Sequence, residues 1–139
     1  MPVQQPKLGE SDQLLDSLLA LIPKSFLSRF DSLWARAEVA RGVGSADLYA
    51  QTPDGRVLHL QDERELVGSL FDCAYDFATT RSGKEPQWST ATLRWRRGHP
   101  AQLGFGHEDV EDRGNTSQRR TVWEQSEFGN KQVERLDSF

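Results

Sequence analysis

The chain has 139 residues, with 21 acids against 17 bases, a net charge of -4 and a pI near 5.4. That length fits one domain with an adequate core at 36% hydrophobic residues, and the acidic balance argues against a general nucleic-acid binder, because phosphates repel it. The longest apolar run, around residues 18–22, is far short of the roughly 20 residues that span a bilayer, and one cysteine, Cys73, makes neither an intrachain disulfide nor a cysteine-based zinc site.

Residues 1–10 are polar and hold two prolines, the composition of a loose N-terminal tail. They lack the charged-then-apolar design of a secretory leader, which predicts a cytoplasmic protein. Ser11 can cap a helix, with Asp12 in its first turn. Leu14, Leu15, Leu18, Leu19 and Ile22 then recur at helical spacing until Pro23 stops the helix. Residues 33–40, LWARAEVA, alternate: Leu33, Ala35, Ala37 and Val39 point one way, Arg36 and Glu38 the other. GVGS at 42–45 reads as a turn and 46–51 as a second strand. TPDG at 52–55 is a strong turn signal, and RVLHL at 56–60 is a third strand.

A longer helix is predicted over 63–81, with Leu66, Leu70, Cys73, Ala74 and Phe77 in its apolar stripe. Cys73 there reads as a small buried side chain. Residues 82–87 loop to a fourth strand over 88–97, WSTATLRWRR, and RGHP turns the chain. AQLGFG, 101–106, is a fifth strand carrying Ala101, Leu103 and Phe105. Ser117 opens a last helix that Gly129 ends, and 130–139 reads as a polar C-terminal tail. Strands in hairpin-linked groups predict an α+β fold: an antiparallel sheet of about five strands with helices packed on one face, in a single domain over residues 11–129.

Candidate chemistry concentrates in GFGHEDVEDRGN, residues 104–115. His107 is followed by Glu108, Asp109, Glu111 and Asp112. A metal hydrolase could draw ligands from His107, Glu108, Asp109 and Asp112. The stretch lacks the H-E-x-x-H spacing that sets two imidazoles on one helical face, and the calcium-loop spacing too. No G-x-S-x-G elbow, P-loop or G-x-G-x-x-G occurs. The expectation is a protein that is not an enzyme and uses no cofactor or metal. As a surface, the carboxylates cannot all be buried, since an unpaired buried charge costs several kcal/mol. They are either a solvated loop or a patch that meets Lys and Arg on a partner. Trp123 is either core or an aromatic anchor beside the acids.

An ordered set of features extends across residues 12–129. Ile22-Pro23 ends the first helix, a tryptophan strand precedes DLY, and a Gly-Lys loop leads to WST. Then come GFGHED, SQRRTVWE and a closing Phe-Gly. In this order the chain resembles the YezG-like, or EsaG-like, family of bacterial immunity proteins. The resemblance implies an α+β antitoxin that binds a cognate toxin domain, often a nuclease, and neutralises it. By motif match it carries over Phe105, Glu108, Asp109, Arg119 or Arg120, Trp123, Glu124 and Gly129. His107 stands where the family has tyrosine, and Glu111 and Asp112 are additional. An ion pair from Arg119 or Arg120 to Asp109 would pin the last helix to the preceding loop. The expected partner-binding residues are His107, Glu108, Asp109, Glu111, Asp112, Trp123 and Glu124. The implied partner is a basic, nuclease-like toxin domain, with no direct nucleic-acid or membrane contact and a monomer or weak dimer in solution. The alternatives are a small acidic secretion chaperone and a small metal-dependent hydrolase.

Overall fold

The structure is a computed structural model that describes residues 10–40, 43–82, 88–110 and 115–136. The expected N-terminal tail, the Gly-Lys loop, Glu111 and Asp112 lie outside the described residues, apart from the tail's last residue, Glu10. The element order is α1 (Glu10–Leu21), α2 (Lys24–Leu27), β1 (Ser32–Ala40), β2 (Val43–Gln51), β3 (Val57–Leu60), α3 (Arg64–Ser82), β4 (Thr90–Arg96), β5 (Gln102–Gly106), α4 (Thr116–Phe128) and β6 (Val133–Leu136). This is an α+β fold around one sheet of six strands in the order β5-β4-β1-β2-β3-β6. Neighbouring strands are antiparallel except β3 and β6, which run parallel.

Alternation along β1 decides the two faces. Leu33 pairs with Ala50 and Trp95, and Ala35 with Leu48 and Leu93, so one face is apolar across the sheet. α1 and α3 cover that face. Leu14, Leu18 and Ile22 of the first helical segment meet Leu70, Ala74 and Ala78 of α3 in the main core. α2 is a single turn that follows Pro23 and buries Phe26, with Phe30 close behind it. Cys73 lies half-buried against this core; burial, and then the charge of Asp76, push its thiol up. The TPDG turn forms as expected, closed by Thr52 N–H on the Arg56 carbonyl at 2.9 Å, with Gly55 at φ 90°. Among the described residues no helix is long and apolar enough to cross a membrane.

The other face carries Trp34, Arg36 and Glu38 of β1, Asp47 and Tyr49 of β2, and Val57 and His59 of β3. α4 lies on it: Trp123 and Phe128 pack against Tyr49, Trp34, Val57 and Val133 in a second, smaller core. Helices therefore cover both faces, where sequence pattern placed them on one. α4 has too few apolar residues to show a stripe, and much of its inward face is charged. The C-terminal stretch expected as a tail is instead β6 through Leu136, in register with β3 from Val57↔Val133 to Leu60↔Leu136. Its four residues, VERL, are too short and too charged for alternation to register, yet Val133 joins the smaller core and Leu136 packs on the main one.

Leu70 and Leu93 are core side chains from α3 and β4, so Leu70→Ala and Leu93→Ala should each lower stability by about 2–5 kcal/mol in urea unfolding. Leu21→Ala, at an exposed α1 position, should change it by no more than about 0.5 kcal/mol.

Candidate partner-binding cleft

The sequence places charges beneath α4, and each must find a partner there. Arg36 is 3% exposed. It donates through Nη1 to Glu38 Oε2 at 2.9 Å and through Nη2 to Glu108 Oε2 at 3.0 Å. Arg119 of α4 grips the same Glu38 with Nε at 3.0 Å and Nη2 at 2.9 Å. Its Nη2 also reaches the Val110 carbonyl at 3.4 Å. Burial pushes the Glu38 carboxyl up, but the Arg119 and Arg36 guanidiniums outweigh it and hold the group below the usual carboxylate range.

A second network ties β2, β3, α4 and β6 together. Tyr49 donates its hydroxyl to Glu124, and Arg135 donates to Glu124 Oε1 at 2.8 Å. Burial, and then the bond to Glu124, push the Tyr49 hydroxyl far up, so it stays a donor. Arg135 also lies 2.8 Å from His59 Nδ1. A guanidinium can only donate, so Nδ1 accepts and the His59 proton sits on Nε2, directed at Asp47 Oδ1 at 2.9 Å. Arg120 Nε stands 3.3 Å from the same Asp47 oxygen. Nearer the end of α4, Glu127 accepts from Arg94 Nη2 at 2.9 Å and from the Trp34 indole at 3.2 Å.

On this charged foundation the chain leaves β5 and passes along α4. Buried Val110 fixes the segment, and Ser89 Oγ donates to the Glu108 carbonyl at 2.6 Å. Between segment and helix lies an open cleft of about 520 Å³, lined by Glu108, Asp109, Gln118, Val122, Trp123 and Ser126 among others. Val122 is 59% exposed. Trp123 packs against Tyr49 and Phe128 with its ring centroid 5.1 and 5.5 Å from theirs, and an edge is left for the cleft.

Three expected partner residues, Glu108, Asp109 and Trp123, thus meet in one concavity. His107 is exposed but does not line it. Glu111 and Asp112 fall outside the described residues. Glu124 requires a correction: it is 7% exposed and its carboxylate is held by Tyr49 and Arg135, so it supports β6 instead of meeting a partner. Arg119 and Arg120 do pin the last helix, and they do it to the sheet acids Glu38 and Asp47. Sequence reading missed Gln118, Val122 and Ser126, although their i, i+4 spacing with a lone valine on a polar helix face was visible. Among the described residues no group of three or more His, Cys, Asp or Glu side chains could hold a metal ion. No protein-family model matches the chain, and no curated protein does.

Glu38→Gln leaves Arg36 and Arg119 without their shared counter-charge and should cost about 3–5 kcal/mol in chemical unfolding. Glu38, Asp47, Glu124 and Glu127 are all held below their ordinary values. Below about pH 4, where free carboxyls protonate, the unfolded chain takes up more protons than the folded one. Stability should therefore be full above that range and fall as pH drops through the folded values, with a shallower fall in Glu38→Gln.

Proposed function

We propose that this chain is an immunity protein: an antitoxin that binds a bacterial toxin domain in the cytoplasm and neutralises it by direct occlusion. One observation carries the reading. An exposed valine and a tryptophan edge line the cleft beside two carboxylates, which gives an apolar centre with an acidic margin. That composition suits a protein partner with a basic surface. A nuclease domain has such a surface because it must hold phosphate, and carboxylates can occupy the same ground. The order of motifs shared with the YezG-like family supports the same class. The mode is stoichiometric and needs no cofactor.

Steering by charge speeds encounter, and apolar contact slows release. Glu108 is a poor probe of this division, because its carboxylate also pairs with Arg36 and reversal would disturb the fold. Asp109 and Val122 are both exposed on the cleft. The test is co-expression with a candidate toxin domain taken from an adjacent gene, scored by survival, followed by binding kinetics across salt. Asp109→Lys should slow association and flatten its salt dependence, while Val122→Glu should speed release, each by about ten-fold. Val122→Glu should melt as the parent does. Unchanged kinetics in the double variant would refute the cleft as the docking site, and a lack of any protection would refute the immunity reading.

A further inference from the structure

α4 does not cover the whole of its face of the sheet. Beyond its last turn, at the β4–β5 hairpin, a pocket of about 280 Å³ opens over Ser32, Trp34, Arg96, His99, Pro100 and Gln102. Register brings these together: Ser32 lies opposite Arg96, Trp34 opposite Arg94, and Arg94 opposite Gln102. The RGHP turn, with Gly98 at φ 79° and His99 N–H on the Arg96 carbonyl at 3.0 Å, returns His99 and Pro100 to the rim.

The polar groups that face this pocket can all donate. Ser32 is 6% exposed, and its hydroxyl has no hydrogen-bond partner among the described residues, although it borders the cavity. The Arg96 guanidinium is exposed and has no ion pair among the described residues. His99 and Gln102 add an imidazole and an amide. The acid at this end, Glu127, is already taken by Arg94 and the Trp34 indole. So a chain of net charge -4 keeps one locally positive, donor-rich hollow.

Trp34 and Pro100 give the hollow apolar walls that suit a flat ring. Its volume is at the small end of ligand pockets, which run from about 300 to 1,000 Å³. A phosphate offers acceptor oxygens in several directions, matching donors that approach from β1, β4 and the hairpin. We propose that this pocket binds a phosphate monoester carried on a planar ring, of which a nucleoside monophosphate is the simplest case. The site is separate from the acidic cleft and does not depend on the immunity reading.

The test titrates adenosine monophosphate, inorganic phosphate and adenosine against the full chain. Tryptophan fluorescence and the indole N–H resonances of Trp34 and Trp95 report binding. Adenosine monophosphate should saturate and shift those indoles, with inorganic phosphate competing more weakly and adenosine binding at least about ten-fold more weakly. Arg96→Ala should weaken the monophosphate by about ten-fold or more, the loss of one charge-assisted hydrogen bond. Ser32→Ala, which removes a hydroxyl and little packing, should weaken it less. Arg64→Ala, an exposed cation on α3, should leave binding and the far-ultraviolet spectrum unchanged. The proposal is overturned if the monophosphate moves neither indole, if adenosine binds as well as its phosphate, or if folded Arg96→Ala binds like the parent.

Discussion

Glu38 is a carboxylate held between two guanidiniums in the shade of a helix, and the placement of α4 follows from it. An amphipathic helix normally stays on a sheet because it removes apolar area from water. α4 contributes mainly Trp123 and Phe128 to such contact. Its remaining inward side chains are Arg119, Arg120, Glu124 and Glu127, and each meets an opposite charge on the sheet or on β6. Pairs of this kind add modest net stability, since desolvation offsets attraction. They are nonetheless unforgiving about position. A helix shifted by one turn would leave several dehydrated charges unpaired, and that penalty selects one seat.

The same constraint explains which parts of the fold were legible. On the α1–α3 face, burial is apolar, so the period of leucines and alanines marks elements and faces directly. Leu33, Ala35, Ala37 and Val39 predicted their own orientation correctly. On the α4 face the buried set includes Arg36, Glu38, His59 and Glu124. These residue types ordinarily mean solvent, so pattern reading assigned the face to water, left β6 as a tail and offered Glu124 to a partner. Only the pairings distinguish a buried arginine from an exposed one, and pairings link residues as distant as Arg36 and Glu108, or His59 and Arg135. The acidic segment was conspicuous in sequence. Its apolar companion Val122 was not, because a single valine in a polar helix acquires meaning only when the segment opposite is known.

The ends of the α4 face differ in sign. Toward β5 and the 107–110 segment the exposed groups are Glu108 and Asp109; toward the hairpin they are Arg96 and His99. Between them the charged side chains described beneath α4 form ion pairs within the fold. A protein of small net charge can therefore present two fields of opposite sign, each felt over roughly a Debye length of about 8 Å at physiological salt. Such separation discourages self-neutralisation within the chain and lets either end act without the other.

Glu108 joins the fold to the cleft. Its carboxylate is more than half exposed, yet one oxygen accepts from buried Arg36, whose second donor is fixed on Glu38, which Arg119 holds in turn. A glutamate on a free loop would lose rotamer entropy on meeting a partner, about 0.5–1.5 kcal/mol for an ordered side chain. Here much of that ordering has already occurred on folding. The chain of contacts also runs the other way: a cation arriving at Glu108 draws on the carboxylate that partly neutralises Arg36, and Glu38 must compensate. Affinity at the rim and the seating of α4 are in this sense one electrostatic problem. A substitution at Glu38, which no partner can touch, would therefore reach the cleft through Arg36.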